Sequence, residues 1–181
     1  YTITDASCYG YNDGEIQMIV TGGVAPYSFD WGNQNNIFLA TTGEILDSLI
    51  AEDYFIRVKD ANGCLVEQIV TVGEPEPFIS STVVTEPLCF GGSDGSIDVT
   101  ITGGTASYSS VWSNGLLTED AGSLTTGTYT YVVTDAQGCI INDTVFVDQP
   151  KEIQISYDVV PVSCIDQTDA DIFITPFGGI Q

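Results

Sequence analysis

The sequence predicts an all-β chain of tandem β-sandwich repeats, and three observations predict it. Apolar and polar residues alternate with period two over several stretches, and no stretch carries helical periodicity. One long motif occurs twice: residues Gly127–Cys139 have a near copy at Asp53–Cys64, each an alternating run that ends in a turn and a cysteine. A duplication of this length makes internal repetition the first feature to map.

The cysteines set the scale. Cys8, Cys89 and Cys164 are each followed after five residues by an aspartate (Asp13, Asp94, Asp169) and after fourteen by a Gly-Gly pair (Gly22-Gly23, Gly103-Gly104, Gly178-Gly179). Trp31 and Trp112 stand 23 residues after the first two of these cysteines. Tyr54 and Tyr129 precede Cys64 and Cys139 by ten, and Pro75 and Pro150 follow them by eleven. The copies differ in length only between Trp and Tyr, where the first is six residues longer, as expected of an insertion held in one loop. The chain therefore divides into a repeat over residues 1–76, a second over 77–152, and the start of a third over 153–181. The third stops before its tryptophan strand, so the expectation is a piece of something longer.

Taken in order, residues 1–7 and 78–86 read as opening strands. Glu15–Thr21 puts Ile16, Met18 and Val20 on one face, and the copies put Ile97, Val99 and Ile101, then Ile172 and Ile174, in the same places. The glycine pairs end these strands in tight turns that need positive φ. Tyr27, Phe29 and Trp31, matched by Tyr108, Ser110 and Trp112, form a stripe that alternates with polar neighbours, which favours a core face over a sugar platform. The copies then diverge, with strands predicted at Ile37–Ala40 and Ile45–Leu49, and Leu116-Leu117 and Ser123-Leu124 in the corresponding part of the second. Tyr54, Ile56 and Val58 face inward. Asp60–Gly63 and Asp135–Gly138 are hairpin turns in which the aspartate accepts from nearby amides and glycine takes the left-handed position. The last strands, Cys64–Val72 and Cys139–Val147, run into short proline linkers that act as stiff spacers. About seven strands per repeat, with tryptophan on the third, point to an immunoglobulin-like sandwich.

Five cysteines fit one bridge inside each complete repeat, Cys8–Cys64 and Cys89–Cys139, with the partner of Cys164 outside the chain. Units of this size have small cores, and closing a loop of roughly 50 residues contributes on the order of 4 kcal/mol in the chain-entropy model. Such a bridge ties the end of the first strand to the start of the last, whereas an ordinary sandwich of this class bridges its central strands. Either the strand order differs, or Cys8 and Cys89 lie on a loop that crosses the end of the sandwich. The absence of histidine and of any Cys-x-x-Cys removes a zinc site, and bridging places the protein in an oxidising, extracellular compartment.

Three basic residues against 25 acidic ones give a net charge of -22, which repels nucleic acid and anionic membranes. No apolar run is long enough to span a bilayer. Without histidine there is no Ser-His-Asp triad, and the carboxylates do not gather as a glycosidase pair, so the chain is not read as an enzyme. Calcium is the one cofactor to weigh. Asp13, Asp94 and Asp169 sit in tight turns, Asp166–Asp171 is a dense acidic run, and Glu74, Glu76, Asp148 and Glu152 lie at the repeat junctions. None completes a calcium loop, and Asx-type turns with solvated linkers explain these residues without a metal.

Cys-x-Gly-x-x-Asp-Gly-x-Ile, then Gly-Gly-x-x-x-Tyr-x-x-x-Trp, then Gly-Thr-Tyr-x-x-x-Val-x-Asp-Ala-x-Gly-Cys and a closing proline together resemble the SprB-type repeat of very large surface adhesins of gliding Bacteroidetes. The resemblance covers Cys8–Pro75, Cys89–Pro150 and Cys164 onward. Departures are Glu52-Asp53-Tyr54 for Gly-Thr-Tyr, no proline before Tyr108, and Asp169-Ala170 for Asp-Gly. The resemblance implies an exported filament at the outer-membrane surface, carried by type IX secretion, with the repeats as its shaft. It implies the gliding machinery and surface polysaccharides as partners, besides neighbouring repeats. Ser48 and Thr144, in Asp47-Ser48-Leu49 and Asp143-Thr144-Val145, resemble O-glycosylation acceptors of these bacteria. A stalk would depend on Cys8, Cys64, Cys89 and Cys139, the tryptophans and the turn glycines. A carbohydrate-binding module would instead use Tyr9, Tyr11 and Phe90, and a third reading is a module appended to a secreted enzyme.

Overall fold

Alternating sequences of this kind have one cheap way to bury their apolar half, which is to place two sheets face to face. The computed structural model, which describes residues 1–33 and 43–179, shows that solution. Every helix or strand among these residues is a strand. The first repeat supplies β1 (Thr2–Thr4), β2 (Gly14–Gln17), β3 (Ser28–Asn33), β4 (Ile45–Leu49), β5 (Asp53–Lys59) and β6 (Leu65–Thr71). They form two sheets in the orders β1-β2-β4 and β3-β5-β6, with all four pairings antiparallel. Trp31 stands opposite Ile56, which in turn stands opposite Gln68.

The core draws on both sheets. Ile16, Leu46 and Leu49 of the first pack with Phe29, Trp31, Tyr54, Ile56 and Val70 of the second. Trp31 is fully buried, and its indole donates to the Gly43 carbonyl at 2.9 Å, so its polar edge is satisfied. Phe29 and Trp31 of the aromatic stripe are thus core, as its alternation predicts, while Tyr27 is half-buried and its counterpart Tyr108 is exposed. Met18, Val20 and Val58 share the inward face but are only half-buried.

The second repeat reproduces this order with β7 (Ile79–Thr85), β8 (Gly95–Thr102), β9 (Ser109–Trp112), β10 (Ala121–Leu124), β11 (Gly127–Thr134) and β12 (Ile140–Val147). Its sheets run β10-β8-β7 and β12-β11-β9. Trp112 tilts against Tyr131 with ring centroids 4.8 Å apart, and Ile97, Leu124, Val133 and Val147 are buried as well. From the third repeat, β13 (Lys151–Val160) and β14 (Asp171–Gly179) form an antiparallel hairpin.

Each complete repeat therefore shows six strands among the described residues, against the seven expected. The strand predicted at Ile37–Ala40 lies outside the described residues. Leu116-Leu117 is not a strand, and β2 is shorter than the predicted Glu15–Thr21, although the Met18 amide still donates to the Glu44 carbonyl at 2.8 Å. Ser48 and Ser123 hold corresponding positions on β4 and β10, and both take positive φ (58° and 57°) where the register shifts.

The chain forms two compact units, a division distinct from the sequence repeats. The first contains Tyr1–Ser80 with Ile101–Tyr108 and Thr134–Ile141; the second contains Ser81–Thr100, Ser109–Val133 and Asn142–Gln181. The cysteine pairing differs from expectation. Inside the first unit Cys8 bonds to Cys139, 131 residues away, with Cα atoms 5.8 Å apart. Neither Cys8–Cys64 nor Cys89–Cys139 forms, and Cys64, Cys89 and Cys164 are free and exposed.

Strand geometry gives the reason. Ala6 donates to the Gly73 carbonyl (3.0 Å), and Gly10 to the Glu74 carboxylate (2.6 Å), so the Cys8 loop lies at the far end of β6. Cys64 precedes β6, nine residues before Gly73, which at about 3.3 Å per residue puts it roughly 30 Å from that loop. Gly91 donating to Gln149 at 2.8 Å fixes Cys89 in the same way, at the end of β12 away from Cys139. A disulfide cannot cross a strand length.

The core can be tested against the surface on adjacent strands. Ile56→Ala, at a side chain 1% exposed, should destabilise the protein by about 2–5 kcal/mol, whereas Ile69→Ala, 66% exposed, should shift a urea midpoint hardly at all.

Candidate functional site

The residues that repeat with fixed spacing converge where the disulfide forms. Cys139 is presented by the turn after β11. Asp135 Oδ1 accepts from the Gln137 and Cys139 amides, both at 2.9 Å, and Oδ2 accepts from Thr105 at 2.8 Å. Gly138 takes φ 87°, as the turn requires. The first repeat builds the same turn: Asp60 accepts from Asn62 (2.9 Å), Cys64 (2.8 Å) and Val24 (3.1 Å). Each closing cysteine is therefore placed by one aspartate that also ties down the Gly-Gly turn.

On the other side is the Cys8 loop. Asp13 accepts from the Ser7 amide at 2.9 Å and from the Ser7 hydroxyl, closing the loop around Cys8. The counterparts behave alike: Asp94 accepts from Leu88 (3.3 Å) and Asp169 from Ser163 (3.1 Å). The three aspartates weighed for calcium are thus acceptors that close a turn. Of the junction carboxylates, Glu74 accepts from Gly10 and Asp148 from the Gln149 amide. Among the described residues, no three cysteines or carboxylates gather in a way that could hold a metal ion.

These hydrogen bonds set the protonation of the site. The Ser7 hydroxyl, then the Ser7 amide, holds Asp13 below the usual carboxylate range, and Ser163 does the same for Asp169. The Cys64 amide leads the donors that lower Asp60. For Asp135 burial is the largest influence and pushes upward, but the combined amides of Thr105, Cys139, Gln137 and Gly138 outweigh it and leave the group lowered.

The linker between the repeats completes the junction. Gly104 donates to the Glu76 carbonyl at 2.9 Å, and Phe78 stacks on Tyr108 with centroids 5.6 Å apart. A Cβ on Gly103 would lie 1.8 Å from the Pro77 carbonyl oxygen, so only glycine permits this approach. Cys8, Tyr9, Tyr11, Phe78, Cys139 and Ile141 line a cleft of about 290 Å³. Tyr9 and Tyr11 are exposed at its edge, and Phe90, equally exposed, lies beside Asp148–Glu152. Ser48 and Thr144, the acceptor candidates, are both exposed. Sequence reasoning missed the Phe78–Tyr108 stack and the contacts of Glu74 and Gln149. The second carried a signal, since both residues stand immediately before the linker proline.

The SprB repeat family model matches residues 1–36 and 81–117. Both stretches are similar to the SprB repeat. Each runs from the opening strand through the cysteine loop and the Gly-Gly turn to the tryptophan strand and a few residues beyond. The SprB match supports a surface adhesin-type repeat domain. No curated protein matches the chain. Among solved structures, the amphioxus IgVJ-C2 molecule is similar with a TM-score of 0.35 at 11% identity, over 78% of this chain and 99% of that one. Dpr11 IG1 bound to DIP-gamma IG+IG2 gives a TM-score of 0.30 at 11% identity, over 69% of this chain and 84% of that one.

Lowered aspartates give the fold an acid limit. A carboxyl depressed in the folded state contributes stability above its unfolded pKa, near 3.9, and loses it as pH falls through the folded value. Asp135→Asn, which sets an amide donor against one of the backbone amides, should lower the melting temperature at pH 7. The deficit should shrink below about pH 4, where the unfolded chain begins to take up the proton, and should close as pH falls through the lowered value of folded Asp135. Thermal melts of both proteins at pH 7 and pH 3 would check this.

Proposed function

We propose that the chain is a length of shaft from a large secreted cell-surface adhesin, in which SprB repeats of about 75 residues, here over 1–76, 77–152 and from 153, transmit load and set reach. The observation that carries this reading is the bond from Cys8 to Cys139, which ties the first repeat to the second instead of closing either on itself. Such a bond passes load from one repeat to the next, which suits a shaft under tension. The resemblance adds outer-membrane display, type IX export and the gliding machinery as partner. The net charge of -22 supports separation of neighbouring shafts. Exposed Ser48 and Thr144 are accessible to O-glycosylation.

A second reading is favoured by one observation. Tyr9 and Tyr11 are exposed beside a cleft, an arrangement that suits stacking on surface polysaccharides. The mass of the intact parent from the surface of the source cells separates the two. A parent of many hundreds of kilodaltons is expected, most of it repeats. A parent with room for only a few repeats would make this an accessory binding module. We also propose that the shaft needs no cofactor, because the aspartates considered for calcium already accept backbone amides. Chelation with EDTA should leave the melting temperature unchanged; a fall restored by calcium would reverse that view.

A further inference from the structure

The free cysteines and one open groove follow a rule that the existing bond reveals. Cys8 is the opening cysteine of the first repeat and Cys139 the closing cysteine of the second. Cys64 is likewise a closing cysteine and Cys89 an opening one, and both are exposed thiols. We propose that each opening cysteine bonds to the closing cysteine of the next repeat, so that Cys64 receives a preceding SprB repeat and Cys89 reaches a following one.

A second set of observations points to the same occupant. In the second repeat the surface around Cys139 is covered: Val99, Val133, Asp135 and Cys139 are all buried. At the corresponding positions of the first repeat, Met18, Val58 and Asp60 are only half-buried and Cys64 is exposed. These residues border an apolar groove of about 380 Å³ that runs along Met18–Gly23 and past Tyr27 to Val66. Its counterpart is where the linker lies, with Phe78 on Tyr108 and the Pro77 carbonyl against Gly103. The third repeat repeats the contact, since a Cβ on Gly178 would fall 2.0 Å from the Glu152 carbonyl oxygen. Gly22, the equivalent of both glycines, has nothing within 4 Å of that position. The groove thus has the shape and polarity of a linker seat: a carbonyl over Gly22, an apolar side chain on Tyr27, and a thiol delivered to Cys64. The turn that presents Cys64 is already built, with Asp60 bonded as Asp135 is.

Formation of the bond removes two protons and two electrons from two thiols. A disulfide oxidant, oxidised glutathione or a protein disulfide, accepts them and leaves as two thiols. The inference rests on the shaft reading only in requiring a further repeat next to this one.

The test uses the full chain and a tandem in which residues 1–156 are followed directly by a second copy of residues 1–181, so that Tyr1 of the second copy takes the place of Tyr157. Both are oxidised in a glutathione buffer, alkylated and peptide-mapped without reduction. The full chain should yield one linked pair, Cys8–Cys139, with Cys64, Cys89 and Cys164 alkylated. In the tandem, Cys89 of the first copy should join Cys64 of the second, while Cys8–Cys139 forms in each. A Cys8–Cys64 bond within one copy, in either protein, overturns the proposal, as does alkylated Cys64 in the second copy. Amide exchange at Gly23 gives a readout independent of sulfur. With Cys64→Ser in the second copy, docking of Lys151–Ile153 should still slow that amide by about tenfold or more, as an amide newly hydrogen-bonded to linker backbone requires. Exchange there at the rate of the single chain would also count against the proposal. A linked Cys89–Cys64 pair beside a parent of few repeats would keep this junction and remove the shaft; free thiols beside a very long parent would do the reverse.

Discussion

One strand length separates the two cysteines of each complete repeat, and that distance decides what the cysteines can do. The opening cysteine is held at the finish of the last strand by the Ala6–Gly73 and Gly10–Glu74 hydrogen bonds, while the closing cysteine stands at its start. Roughly 30 Å of extended backbone lies between them. The bond that forms therefore joins Cys8 to Cys139 and encloses 131 residues of sequence. In the chain-entropy model a loop of that length is worth about 5 kcal/mol, more than the shorter in-repeat loops would be. The bond fixes a junction, and the cores on either side are left to hold themselves together by packing.

Packing is what the sequence displays most openly. The alternation that places Ile16 inward also places Phe29, Trp31, Tyr54 and Ile56, and all of these are buried. The glycine pairs take positive φ where the turns were expected, and Asp60 and Asp135 accept the amides that such turns leave open. These features are local: a period, a turn type and an aspartate within four residues of its donors. Each is legible because few alternatives satisfy the same short stretch of backbone.

The cysteine pairing was not local, and spacing alone misled. Equal spacing of Cys8 to Cys64 and of Cys89 to Cys139, apart from one insertion, looks like a bridge repeated in each unit. It describes equally well two marks at opposite ends of each unit. The deciding information was in the strand assignment, since Cys8 follows the first strand and Cys64 precedes the last. If those strands run parallel, their cysteines must lie at opposite ends. Ala6 beside Gly73 shows that the two strands finish together. The half-burial of Met18 and Val58 has the same origin, because their face continues past the edge of the core to the junction surface.

The location of the bonds matters for a chain that is pulled from its ends. Bridges inside each repeat would protect residues 8–64 and 89–139 but leave 65–88, the last strand and the linker, to carry the full load. A bond from Cys8 to Cys139 instead spans that linker and lets tension pass from one cysteine to the other without crossing either core. If Cys89 reaches the following repeat in the same way, its loop begins before the first one ends. The stretch from Cys89 to Cys139 then lies inside two loops at once, and every residue from Cys8 onward lies inside at least one. Overlap of this kind costs nothing in core size. It requires only that each repeat carry its two cysteines at opposite ends, as the geometry of the last strand already ensures.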